Sequence, residues 1–294
     1  MNPLVSVDWL TERLPTPARE HRASRGPRLR DPDVVLLDAT LPPVGIIPRV
    51  DTRTGYVARH IPGPIFFDID ELSDHSTPLP HMLPTAEAFA RSMSEMGVSD
   101  GATIVVYEQA GVFSAPRAWW MLRTFGAPKV HVLDGGLRAW IDAGLPTESG
   151  EVRRAAAKFN ARLDREAVKD FAEIQKMIAK HEQILDARSA GRFAGTDPEP
   201  RAGIASGHMP GAISLPFTEL AENDRLKSAA ELRELFRAGG VDIEKPVTTT
   251  CGSGVTAAVL ALGLEIAGAK KVHLYDGSWA EYAQRPDAVI EKSS

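Results

Sequence analysis

"RHIPGPIFFDI" at residues 59–69 returns as "GHMPGAISLPF" at residues 207–217, its histidine 148 positions further on. On either side of this pair the same thing happens. "VVLLDA" (34–39) returns as "QILDAR" (183–188), again displaced by 148 at its aspartate. "KVHVLDGGLRAW" (129–140) returns as "KVHLYDGSWAEY" (271–282), displaced by 142. Three matches in one order at nearly one offset indicate two copies of a single domain, and the small shortfall requires only a shorter segment in the second copy. A length of 294 residues suits two domains of ordinary size. The junction falls in "AGLPTESGEVRRAAAKF" (143–159), whose Pro, Gly, Ser and charged residues read as a surface connection. The expected division is a first domain over 1–147, a linker over 148–163, and a second domain over 164–294 with a helix beginning near Arg165.

Within each copy short apolar runs alternate with helical stretches. In the second, "ILDA" (184–187), "VTTT" (247–250) and "VHLY" (272–275) read as strands. "TAAVLALGLEIAG" (256–268) is apolar on nearly every face, which suits a helix packed on a sheet. "AEAFARSMSEMG" (86–97) and "AAELRELFRAGG" (229–240) are amphipathic and stop at glycine. The expected class is α/β, each domain a mainly parallel sheet with helices on both faces.

Composition narrows the function. A net charge of −5 leaves no electrostatic footprint for nucleic acid. The start, "MNPLVSVDWLTERL", carries neither a secretory pattern nor a long apolar span, so no membrane role is expected. One cysteine excludes an internal disulfide and fits a reducing, cytoplasmic setting. No metal-ligand cluster or nucleotide fingerprint appears, and no cofactor is expected. "TPAREHRASRGPRLRDP" (16–32), around Arg25, reads as a solvated basic loop.

The lone cysteine lies in "CGSGVTA" (251–257), on a glycine-rich turn between the strand "VTTT" and a helix. In open α/β sheets ligands bind beyond the carboxyl ends of the strands. Two glycines let successive N–H groups curl inward as an anion nest, and the helix presents its N-terminus to the same point. Such a turn is suited to hold a cysteine as the reactive thiolate, and a merely structural thiol needs none of it. An arginine six residues on would clamp a phosphate; Ala257 stands there, which disfavours a phosphatase.

The doubled "HIPG/HMPG" and "DGG/DGS" motifs, with Cys251 in a six-residue loop, resemble the rhodanese family of sulfurtransferases over nearly the whole chain. "CGSGVTA", "GRFAGTDPEPRAGIASGHMPGA" (191–212) and "FFDIDELSD" (66–74) resemble its 3-mercaptopyruvate-using branch. The resemblance implies tandem rhodanese-like domains with the nucleophile only in the second. The position matching Cys251 in the first copy is Glu108.

The resemblance further implies transfer of sulfur from 3-mercaptopyruvate to Cys251 as a persulfide, release of pyruvate, and passage to a thiol (thioredoxin among the candidates) or to cyanide. By the same resemblance Arg192 and Arg201 bind the 2-oxo acid with loop residues Gly252, Gly254, Val255 and Thr256. Ser253 is expected to form a relay with Asp70 and His81 of the first domain. Arg188 reads as a structural ion pair at a strand end, and Trp119 and Trp120 as helix core. The two positions after the cysteine, cationic in thiosulfate-using relatives, are Gly252 and Ser253, a neutral turn that favours the thiol acid. Thiosulfate as donor, or a non-catalytic module that binds a protein partner, are the alternatives. Oligomeric state is open.

Overall fold

Val34–Asp38 and Val247–Thr250 are buried at every position, the pattern of strands covered on both faces. Both run through the middle of a sheet. The computed structural model describes residues 2–14, 34–42 and 50–293, and the basic loop around Arg25 lies outside the described residues. The first sheet contains β1 (Leu4–Val5), β2 (Val34–Asp38), β3 (Ile65–Phe66), β4 (Thr103–Tyr107) and β5 (Val130–Leu133), in the order β1-β5-β4-β2-β3. The second contains β6 (Val168–Lys169), β7 (Gln183–Asp186), β8 (Ile213–Ser214), β11 (Val247–Thr250) and β12 (Val272–Tyr275), in the order β6-β12-β11-β7-β8. Every pairing in both sheets is parallel. The orders are the same pattern drawn twice, down to register: Leu37 faces Ile65 as Leu185 faces Ile213. A small antiparallel hairpin, β9 (Ala221–Glu222) and β10 (Arg225–Leu226), projects from the second domain.

The helices begin and end where local chemistry dictates. Ala257–Ala267 follows Thr256 and closes on Gly268 at φ +90°, a left-handed stop that glycine adopts without strain. Ala86–Glu95 and Ala229–Ala238 occupy the two amphipathic stretches. The helix expected near Arg165 begins instead at Phe171. Asp170 and Glu173 form a reciprocal capping box there, and residues 168–169 join the sheet edge as β6. Residues after 148 run along the first domain, with Ala157 N donating to Ser94 O at 2.9 Å and Arg162 N to Phe125 O at 3.0 Å. Among the described residues no helix is long and apolar enough to cross a membrane.

The domains meet helix against helix. Ala115–Thr124 lies on Ala257–Ala267, and one apolar cluster continues through both domains. Trp119 and Trp120 belong to it, buried as expected. A Cβ at Gly263 would approach Leu220 Cδ2 to 2.5 Å, so within the second domain Leu220 would have to shift to admit one. Ion pairs cross the boundary at Arg123–Glu265 and Arg225–Asp134, both partly exposed. A third is of another kind. Arg117, 0% exposed, pairs with Asp276 Oδ1 at 2.7 Å and also donates to the carbonyls of His81 and, at 3.4 Å, Gly254. Asp276 Oδ2 in turn accepts from Leu83 N at 2.8 Å. Truncating one partner of such a pair strands the other in the interior, at a cost of about 3–5 kcal/mol. Arg117→Ala should lower the unfolding free energy by about that amount in urea titration; a loss below about 1 kcal/mol would remove Arg117 as the clamp.

Candidate active site

Cys251 stands one residue beyond β11, and Glu108 stands one residue beyond β4, its counterpart in the first sheet. The turn after Cys251 is held from outside. Trp279 N and Ala280 N donate to the carbonyls of Cys251 and Gly252, each at 2.9 Å, and Cys251 N donates to Ser278 Oγ at 3.3 Å. With those carbonyls tied outward, none of the amides from Gly252 to Thr256 donates to a described residue. Successive N–H groups left open ahead of a helix N-terminus form a site for negative charge.

The cysteine is 2% exposed, yet it forms part of the wall of a cleft of about 560 Å³. Gly252, Ser253, Val255 and Thr256 share that wall, with Arg188, Arg192 and Arg201. The first domain contributes Gly111, Val112 and Phe113, and the hairpin contributes Glu222, Asn223 and Asp224. Gly254, expected with the other loop residues as a substrate contact, keeps its amide in the open set of this turn. It faces the first domain at φ +79°, and a Cβ there would meet Arg117 Nη1 at 2.9 Å. It is glycine for conformation and close approach.

The three expected relay residues come together across the domain boundary. His81 Nδ1 lies 3.0 Å from Ser253 Oγ, and His81 Nε2 lies 3.1 Å from Asp70 Oδ1. Asp70 accepts at Nε2, which leaves Nδ1 as the acceptor of the serine hydroxyl. His81 adopts φ +60°, an uncommon conformation for a side-chain-bearing residue, held by the Arg117 bond to its carbonyl.

The arginines divide by what they touch. Arg188 is tied into the protein: Asp186, Glu199 and the Gly207 carbonyl take four of its five N–H groups, and it lies 4.1 Å over the Trp279 ring. Burial works against its charge, but Asp186 and Glu199 more than offset this and raise its pKa. That matches the structural ion pair expected at this strand end. Arg192 is held by Glu199. Its Nη2 would lie 2.9 Å from a Cβ at Gly252, so the absence of a side chain at 252 makes room for the guanidinium. Arg201 pairs with no carboxylate among the described residues. Burial holds its pKa below the ordinary arginine value, with the Cys251 sulfur acting in the opposite sense. A guanidinium beside the thiol and free of described carboxylates suits a carboxylate-bearing ligand.

Several residues of the site escape sequence reasoning. Arg117 and Asp276 flank the Ser253–His81–Asp70 chain, and Glu199 holds two arginines. In "SAPRAWWMLR" the only hint is a charge within an apolar helix; Glu199 lay inside the quoted "GTDPEPR" without any spacing that reveals its partners. Phe113 and Phe217, ring centroids 6.0 Å apart, face each other across the cleft between domains; Phe217 ends the repeated "GHMPGAISLPF", and Phe113 belongs to no quoted repeat.

The Rhodanese-like domain family matches residues 27–143 and again 170–285. A 3-mercaptopyruvate sulfurtransferase of Escherichia coli K12 is 43% identical over 290 residues, spanning 98% of this chain and 97% of that protein. A thiosulfate sulfurtransferase of Gallus gallus is 41% identical over 286 residues, spanning 96% and 93%. The crystal structure of SseA from Escherichia coli, described as a 3-mercaptopyruvate sulfotransferase, matches with a TM-score of 0.83 at 41% identity, covering 96% of this chain and 100% of that one. Two matched segments, two sheets of one topology and near full-length likeness lead to one conclusion: the chain belongs to the rhodanese family, with two such domains in tandem.

Proposed function

We propose that this chain transfers sulfur from 3-mercaptopyruvate to a thiol or cyanide acceptor through a persulfide on Cys251, releasing pyruvate. The observation that carries this reading is the placement of Cys251 between Arg201, which pairs with no carboxylate among the described residues, and the Ser253–His81–Asp70 chain. Within it, residues 1–147 supply the relay acid and base, 148–163 connect, and 164–294 carry the nucleophile.

The Cys251 thiolate attacks the donor sulfur, and a sulfur–sulfur bond forms as the carbon–sulfur bond breaks. The bonding pair leaves with the methylene carbon as the enolate of pyruvate. The proton of the donor thiol passes to that carbon, leaving a deprotonated persulfide and pyruvate. Ser253 Oγ, hydrogen-bonded to a histidine whose far nitrogen faces Asp70, is suited to take and return this proton. Open amides between Gly252 and Thr256 stabilise negative charge on the sulfurs. Arg201 and Arg192 hold the carboxylate and ketone oxygens. Cyanide or a thiolate then attacks the outer sulfur and restores the Cys251 thiolate, and thioredoxin is one thiol of this class. A free thiol that cycles in this way calls for a reducing compartment, and we assign the chain to the cytoplasm.

The neutral pair Gly252 and Ser253 favours the singly charged thiol acid over the thiosulfate dianion. Relatives naming either donor lie at closely similar identity, so this loop is the stronger argument for the donor.

Intact mass after mixing with 3-mercaptopyruvate, without acceptor, should rise by one sulfur atom in the native chain and not in Cys251→Ser. Turnover in that variant should fall by about 10⁴-fold or more. Ser253→Ala should lower kcat by about 10²-fold with little change in KM; an unchanged kcat would remove the relay. Arg201→Ala should raise the KM for 3-mercaptopyruvate by about 10- to 100-fold, the loss of a charged hydrogen bond. Arg188→Ala should act mainly on stability, and a matching rise in KM in folded Arg188→Ala would overturn the division between the two.

A further inference from the structure

In the first domain the turn that matches the Cys251 loop already holds an anion, and that anion is its own side chain. Glu108 is 4% exposed. Its Oε1 accepts from Phe113 N at 2.8 Å and Ala115 N at 3.2 Å; its Oε2 accepts from Ser114 N at 2.9 Å and Ser114 Oγ at 3.1 Å. Ser114 and Ala115 are the cap and first residue of the helix Ala115–Thr124, as Thr256 and Ala257 are of the helix behind Cys251. Burial pushes the carboxyl up to about 7, against the pull of these four donors, so Glu108 is the anion these donors favour above about that pH. The same architecture therefore occurs twice, filled by a carboxylate in one domain and open in the other.

The filled copy borders the cleft. Gly111, Val112 and Phe113, in the segment tied down by Glu108, form the first-domain wall of the Cys251 cleft. Phe113 meets Phe217 across the cleft. Ser114 Oγ also accepts from Leu41 N at 3.1 Å, which joins the turn to the end of β2. Without a negative group at its centre the turn has three amides and a hydroxyl converging on nothing, an arrangement that relaxes by opening.

We propose that Glu108 is a positioning residue for the sulfur donor: as an internal anion it fixes the Gly111–Phe113 wall against which the donor is held. This rests on the sulfur-transfer reading and adds a role for the domain that lacks the thiol. It also explains why the first domain keeps a loop of this shape without a nucleophile.

The test uses the full chain with Glu108→Ala and Glu108→Gln, 3-mercaptopyruvate as donor, 2-mercaptoethanol as acceptor, and formate as the anion probe. In Glu108→Ala the KM for the donor should rise by about tenfold, with kcat within about threefold of the native value. Formate should occupy the vacated turn, lower that KM towards the native value and raise the melting temperature of this variant alone. In Glu108→Gln, whose amide fills the turn but opposes N–H with N–H, KM should rise and formate should have no effect. A native KM in either folded variant would overturn the proposal, as would a raised KM in Glu108→Ala that formate leaves untouched. Failure of both variants to fold would overturn it too, since Glu108 would then serve folding alone. Absence of turnover in the native chain would instead sink the sulfur-transfer reading, and the effect of formate on the melting of Glu108→Ala would still judge the turn.

Discussion

One buried guanidinium sets the geometry on which the rest relies. Arg117 reaches from the first domain to a carboxylate and a carbonyl of the second, while holding a carbonyl of its own domain at the point where the backbone turns left-handed. Planar and multiply donating, it can satisfy several acceptors in a fixed arrangement, as a lysine could not. The acceptors it joins are the flanks of His81 and Ser253. Two side chains separated by 172 residues are thereby brought to hydrogen-bond distance without either being on a rigid element of the other's domain.

The two domains illustrate how one backbone design can be set to different tasks by one side chain. A strand end, a tight turn and a helix N-terminus concentrate N–H groups wherever they recur. In the second domain a small thiol leaves those groups available and a cleft in front of them. In the first a longer carboxylate folds back and consumes them. The difference lies in reach and charge, with the sheet order unchanged.

Much of the fold was legible in the sequence because duplication and periodicity are local or repeated signals. "VTTT" and "VHLY" coincide with β11 and β12, and the glycine stops fall where the helices close. The start of the helix at Phe171 was not legible from apolar spacing, because a capping box and a two-residue edge strand decided it. For the site, Cys251 and its turn could be read from residue type and context alone. Asp70 and His81 could not: each is an ordinary loop residue until the second domain is laid against the first, and only a family resemblance pointed to them. Arg117, Asp276 and Glu199 were invisible for the same reason, since what they do depends on contacts far apart in the chain. That Gly254 also packs closely on Arg117 was not legible either, since the contact joins residues 137 positions apart.

The apolar cluster that passes without a break from one domain into the other has a consequence for traffic through the molecule. Jaws that opened by rotating the halves apart would expose that cluster to water, which opposes such a motion. The cleft in front of Cys251 is then the passage that cargo uses with the halves in contact. Small thiols and cyanide fit such a passage, whereas a folded recipient has to offer its sulfhydryl on a narrow protruding tip.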